Sequence, residues 1–462
     1  MLRTFALLTM GLVFIATTSA AAGEDRIQSI LRGWPWSFDR GGGFAGEADE
    51  AAVVAFQARG PALAMVDAGS GFAAAVPDAP GVLAGTGSGP TGVLASAGLA
   101  GDLAPKSGSA VLMEAYSGQI LYAKNEHERR PLASVTKIMT LCLIFDAIEA
   151  GRVKLTDTVS VSQYAAGMGG SQLWLEVGER MTLRDLVIGI AVGSANDACV
   201  AIGEHLAGTN ERFVQMMNDK AAELGMKNTH FANPHGLDDP DHYSSAYDVA
   251  LMARYATRHA DLLKFTSIWI EYLRDGKLMQ SNHNRLVRFY PGCDGLKTGY
   301  TDKAGNCLAA TAKRDTTRLI SVVLGAPTGD VRFNESSALL NAGFASYYAV
   351  PLAKKGEIVT VVPIERGTID RLSLVPPADF GVILPKGSQP QLTRRVVRDE
   401  RIFAPVQAGQ VVAELIIEAD GKEVGRTPLV ASVEVQRAGL SRLIWKSLSI
   451  LIRPQQAVPG AP

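Results

Sequence analysis

A strand hairpin pattern on one side of a long helical stretch, and three strand patterns on its other side, constrain this chain most. Ala110–Tyr122 reads as two apolar runs around Ser117-Gly118, a hairpin signal. Helical spacing of apolar residues follows at Ser134–Ala150, Leu183–Leu206, Glu211–Leu224 and Ala246–His259. Strand patterns return at Lys297–Thr301, Cys307–Ala312 and Leu319–Leu324. Strands flanking a helical block argue for one sheet, built from both ends of the segment and carrying helices on its faces.

The rest of the chain divides by texture. Beyond Ala349, short β-rich runs alternate with turns at residues 358–362, 381–384, 393–397, 411–417 and 429–435, and Asp420-Gly421 is a hairpin turn. Residues 349–436 therefore read as a separate all-β domain and residues 106–348 as the domain before it. Residues 23–105 are rich in Ala, Gly and Pro, without periodicity, and read as a poorly ordered tether. Residues 1–22 read as a cleaved export signal: Arg3, an apolar run from Phe5 to Ala16, then small residues with cleavage after Ala20 or Ala22. That run is shorter than the roughly 20 residues needed to span a bilayer. In residues 437–462, Leu440, Leu443, Ile444, Leu448 and Leu451 form an apolar stripe opposite Arg442, Lys446 and Arg453, with Trp445 at the boundary. Such a basic amphipathic helix suits attachment in the plane of a membrane surface.

Composition excludes some functions. A chain of 462 residues that is 47% hydrophobic and 20% charged suits a globular enzyme. Its net charge of -1 lacks the basic excess of a nucleic-acid binder. None of the four cysteines (Cys142, Cys199, Cys293, Cys307) is in a C-x-x-C pair, so neither a metal nor a redox cofactor is expected. Cys142 and Cys199 fall in apolar helical stretches as buried thiols; a Cys293–Cys307 bridge is left open.

The chemistry lies in three short motifs. Ser134-Val135-Thr136-Lys137 puts a lysine one helical turn from a serine, on the same face. A serine hydroxyl is a weak nucleophile without a base, and a lysine serves as that base only where its environment favours the neutral amine. Alone, this pattern is better explained by an N-capping serine and a surface lysine. Ser194-Ala195-Asn196 adds a hydroxyl able to relay a proton and an amide able to hold a lysine or a substrate carbonyl. Lys297-Thr298-Gly299 adds a cation and a hydroxyl suited to a carboxylate, with a glycine that lets a substrate backbone lie along the strand. The N–H groups of Ser134 and Tyr300 are candidates for an oxyanion hole. Lys106-Ser107-Gly108 also matches the third pattern, but it precedes Ser134 and reads as coincidence.

The ordered set S-x-x-K, S-x-N and K-T-G is specific. With Arg130–Thr140, Ser194–Cys199, Asn233-Pro234-His235-Gly236-Leu237-Asp238 and Asp294–Gly305, the chain resembles the D-alanyl-D-alanine carboxypeptidases, low-molecular-weight penicillin-binding proteins of peptidase family S11. The resemblance runs from about Ser107 to Arg453. It implies a serine transpeptidase/β-lactamase-like α/β (α+β) catalytic domain, followed by a small all-β domain and an amphipathic helix.

It further implies that Ser134 attacks the bond between two terminal D-alanines of a peptidoglycan pentapeptide, and that β-lactams trap the same serine. Lys137 would be base, Ser194 proton relay, Asn196 a substrate amide partner, and Lys297 with Thr298 the carboxylate site. Arg332 matches an arginine many relatives use near that carboxylate, with a surface ion pair as the alternative. The implied location is periplasmic, at the outer face of the cytoplasmic membrane. The chain departs from the pattern at Asn282-His283-Asn284-Arg285, where many relatives carry an arginine between two asparagines, and at Tyr300, a histidine in some relatives. His235 reads as structural. A D,D-endopeptidase, a β-lactamase-like hydrolase and a non-enzymatic wall-binding protein are the competing readings.

Overall fold

The structure is a computed structural model in which residues 64–66 and 99–439 are described. The expected export signal, nearly all of the expected tether and the expected amphipathic helix lie outside the described residues. Among those described, no helix is long and apolar enough to cross a membrane.

The strands, in chain order, are β1 (Ala64–Val66), β2 (Ser109–Glu114), β3 (Ile120–Lys124), β4 (Thr158–Ser160), β5 (Arg180–Thr182), β6 (Ile270–Leu273), β7 (Leu278–Ser281), β8 (Cys293–Thr301), β9 (Gly305–Arg314), β10 (Thr317–Ala326), β11 (Tyr347–Ala353), β12 (Thr360–Pro363), β13 (Arg371–Val375), β14 (Phe380–Pro385), β15 (Leu392–Arg398), β16 (Val411–Ala419) and β17 (Lys422–Ala431). The helices are α1 (Lys137–Glu149), α2 (Gln163–Ala166), α3 (Leu183–Ala191), α4 (Asn196–Ala207), α5 (Asn210–Glu223), α6 (Ala246–Ala256), α7 (Ala260–Thr266), α8 (Leu286–Phe289) and α9 (Gly329–Ser346).

The sheet expected from the flanking strands is present. Its order is β3-β2-β10-β9-β8, antiparallel throughout, with Ser109 opposite Leu324 and Glu114 opposite Leu319. One apolar core lies on the face covered by the helical block, where Ile138, Leu141, Phe145, Leu186, Ile190, Val200 and Ile202 are buried with Val111 and Val322. The alternate residues of the same strands, Leu112 and Val323, pack on the other face with Phe333, Leu339, Leu340 and Phe344 of α9. Period-two alternation thus gives both faces of the sheet an apolar cover.

The second domain is all-β. Its six-stranded sheet runs β1-β15-β16-β17-β13-β12, and a two-stranded β11–β14 ribbon completes it. Asp420 and Gly421 both have positive φ, as a tight two-residue hairpin requires. Ala349 of β11 donates its N–H to Thr317 Oγ1 and accepts from Thr316 Oγ1, joining the ribbon to the catalytic sheet. Within the stretch read as a tether, β1 pairs parallel with β15 and so forms that end of the six-stranded sheet.

The structure differs from the sequence reading in two places that matter. The Leu183–Leu206 helix is two helices, interrupted where Ser194 takes a φ of 65°. α9 was not anticipated, although Thr328 caps it by accepting from Val331 N. All four cysteines are free and buried, so the Cys293–Cys307 bridge left open by the sequence is absent. Their side chains fill core positions instead.

Candidate active site

Ser134 lies on a 3-10 turn, Ala133–Thr136, that leads directly into α1. Ala133 has a φ of 48°, so the turn enters the helix through a conformation that L-residues avoid. Two neighbours hold it. The turn Pro234-His235-Gly236 closes against Ala133 O, and Gly236, at φ +91°, lies where a Cβ would collide with that carbonyl. β8 packs on the other side, where a Cβ on Gly299 would stand 2.7 Å from Leu132 O and 3.0 Å from Ser134 N. Both glycines are needed for close backbone approach.

Lys137 is completely buried one turn on, and its Nζ meets three oxygens: Asn196 Oδ1 at 2.7 Å, His235 O at 2.7 Å and Ser134 Oγ at 2.9 Å. The geometry separates two protonation states. An ammonium donates to all three, whereas a neutral amine donates to the amide and the carbonyl and turns its lone pair toward the Ser134 hydroxyl. Burial pushes the Lys137 pKa down to about 8, against the opposing pull of the Cys199 and Asp197 side chains. The neutral amine is therefore accessible near neutral pH.

Asn196 is fixed by its own Nδ2, which donates to Gly169 O at 2.6 Å. Its N–H donates to Ser171 O at 2.7 Å, so residues 169–171 wall the same corner. Ser194, buried two residues before Asn196, occupies the break between α3 and α4. Gly193 beside it is covered by Gln280 of β7, leaving no room there for a Cβ.

Lys297 and Thr298 are buried on β8, which is the edge strand of the sheet and so presents unpaired backbone groups. Burial, followed by repulsion from Lys137, drives the Lys297 pKa well down. Two buried lysines this close resist carrying charge together. Arg332 of α9 donates from Nη1 to Gly299 O at 2.9 Å, while its buried Nε has no partner. Among the described residues, the surface ion pair considered for Arg332 is not seen. The Tyr300 ring points outward, its hydroxyl donating to Asp302, so only its backbone can serve the site.

Lys137 thus joins Ser134 to Asn196, with β8 laid against the serine turn. His235 contributes its backbone carbonyl, while its ring Nδ1 accepts from Leu237 N. Sequence reasoning missed that carbonyl and the 169–171 segment, since neither carries a motif. The coincidental Lys106-Ser107-Gly108 is engaged elsewhere: Ser107 Oγ and Lys106 N both donate to the Glu335 carboxylate of α9.

Comparison with known proteins agrees with this architecture. The D-alanyl-D-alanine carboxypeptidase profile of peptidase family S11 matches residues 98–328, and that of the penicillin-binding protein 5 C-terminal domain matches residues 347–437. D-alanyl-D-alanine carboxypeptidase DacF of Bacillus subtilis is 41% identical over 75% of this chain and 90% of its own length. D-alanyl-D-alanine carboxypeptidase DacA of Haemophilus influenzae is 35% identical over 74% of this chain and 88% of its own. Among solved structures, penicillin-binding protein 5 from Haemophilus influenzae superposes with a TM-score of 0.61 at 34% identity, covering 72% of this chain and 98% of that one. Penicillin-binding protein 6B from Escherichia coli gives 0.56 at 34%, covering 70% and 95%. None of these favours the endopeptidase or β-lactamase alternatives. With both domains matched and the serine–lysine pair assembled, the chain belongs to the D-alanyl-D-alanine carboxypeptidase family, as a serine-type enzyme with the penicillin-binding protein fold.

Proposed function

We propose that this protein removes the terminal D-alanine from peptidoglycan pentapeptides through an acyl-enzyme on Ser134. The observation that carries the reading is Lys137 Nζ, held by Asn196 Oδ1 and His235 O so that its third position faces Ser134 Oγ. The substrate lies extended along the free edge of β8, its terminal carboxylate at Lys297 and Thr298 with Arg332 behind them. Arrival of the carboxylate favours charge on Lys297, and the repulsion between the two lysines then favours the neutral Lys137.

Ser134 Oγ attacks the carbonyl carbon as its proton passes to Lys137 Nζ. The developing oxyanion is met by the N–H groups of Ser134 and Tyr300, with Asn196 beside the substrate amide. Collapse breaks the C–N bond, and the leaving amine takes a proton from Lys137 directly or through Ser194. Water then cleaves the ester with Lys137 again as base, returning Ser134. β-Lactams acylate the same oxygen. Mass spectrometry of a pentapeptide after incubation should show loss of one alanine with wild-type protein and none with Ser134→Ala. A product cut elsewhere, or the same product from both, would sink the reading.

The organisation that accompanies this reading is an export signal at 1–22, a tether at 23–105, a catalytic domain at 106–348, an all-β domain at 349–436 and an anchor at 437–462. The amphipathic stripe of Leu440, Leu443, Ile444, Leu448 and Leu451 supports attachment to the outer face of the cytoplasmic membrane, in the periplasm. Deleting the residues after Arg437 should move the protein from the membrane fraction to the soluble fraction. Retention on membranes after that deletion would refute the anchor.

A further inference from the structure

Trp174 stands on the segment that walls the active site, and its placement is unusual. Its side chain is 71% exposed, yet it lies between Leu173 and Leu175, both buried in the core. Its backbone is left-handed, at φ 57°, a conformation that costs an L-residue with a large side chain. Despite the exposure, the segment is clamped from beneath. The buried Asp197 carboxylate accepts from Leu173 N at 3.1 and 3.0 Å and from Leu175 N at 3.1 Å. From the side, Arg274 at the tip of the β6–β7 hairpin donates to Trp174 O and pairs with both oxygens of Glu179.

Asp197 adjoins Asn196, and Asn196 itself bonds Ser171 O and Gly169 O. The elements that hold Lys137 therefore also display Trp174. Strain retained at a site of this kind points to use.

Burial alternates along the segment, so Gln172, Trp174 and Glu176 lie on the solvent side while Leu173 and Leu175 face the core. An apolar plate flanked by an amide and a carboxylate matches a pyranose ring, whose C–H face is apolar and whose rim carries hydroxyl and N-acetyl groups. The exposed Glu176 carboxylate disfavours an anionic membrane surface as occupant.

We propose that the Trp174 indole is a sugar-stacking platform, taking a pyranose of the N-acetylated glycan that carries the stem peptide, with Gln172 and Glu176 bonding its rim. This rests on the carboxypeptidase reading for the peptide itself and adds a subsite outside the reacting bond.

The test compares wild type and Trp174→Ala on two substrates, the free pentapeptide and the same pentapeptide on its N-acetylglucosaminyl-N-acetylmuramyl disaccharide. The variant should lose about tenfold in kcat/KM on the disaccharide substrate, through KM, and stay within about twofold on the free peptide. Unchanged acylation by benzylpenicillin and an unchanged melting temperature establish that the variant is folded. Titration with chitotetraose should alter the tryptophan fluorescence of wild type and not of the variant.

Equal losses on both substrates would make Trp174 a support or peptide contact and overturn the proposal, as would no loss on either. A chitotetraose response that survives in the variant would overturn it too. If wild type releases alanine from neither substrate, the carboxypeptidase reading fails, while the chitotetraose titration still decides the platform.

Discussion

Replacing Lys137 with alanine is expected to lower the rate of acylation, by either pentapeptide or benzylpenicillin, by about 10²–10⁴-fold, the range for loss of a positioned general base. The readout is the appearance of acyl-enzyme by rapid quench and mass spectrometry. Ser134→Ala forms none at all but leaves Lys137 bound to Asn196 and His235, so the pair of variants separates chemistry from fold.

The pH dependence follows from the same group. Burial lowers the Lys137 pKa to about 8, and the reactive form is the unprotonated one. Acylation by wild type should therefore rise about tenfold per pH unit below pH 8 and level off above it. Lys137→Ala should lose that limb. A wild-type profile flat from pH 6 to 9 would remove Lys137 from the role of base.

The other large effect comes from a residue with no side chain. Gly236→Ala would place a methyl group against the carbonyl of Ala133 in a backbone held at φ +91°. Left-handed strain and the forced separation of two backbones together should destabilise the fold by about 2–4 kcal/mol, read from the denaturant midpoint. The harm to activity should exceed the loss of folded protein. The turn carries His235 O, and moving it releases one of the two acceptors that orient Lys137. If acylation per folded molecule stays within about twofold of wild type, the carbonyl is not a positioning group.

The sheet was legible because its strands sit in separate apolar runs whose alternation survives in isolation: β2, β9 and β10 all lie where the pattern puts them. Ser134, Lys137 and Asn196 were legible as members of ordered motifs, and their contact follows from the fold those motifs accompany. The break at Ser194 was not. Leu183–Leu206 keeps a continuous helical period, and only tertiary forces, Gln280 over Gly193 and the 169–171 segment on Asn196, make the interruption the better solution. The acceptor at His235 was hidden for a simpler reason, since every residue has a carbonyl. α9 was missed because its buried face carries Glu335 and Ser336 among the apolar residues, which blurs the amphipathic signal.

The pairing of β2 with β10 has a temporal consequence. Ser109 finds its partner at Leu324, so the central sheet has no middle until almost the whole catalytic sequence is available. β8 joins the middle of the sheet only through β9 and β10, and without it Lys297 and Thr298 are not laid against the serine turn. Contacts so distant along the chain slow folding, because the entropy of closing the long loop must be overcome before they form. A chain threaded across a membrane from its N-terminus would carry its serine and lysine through as inert side chains, and reactivity would appear only when the last strand arrived.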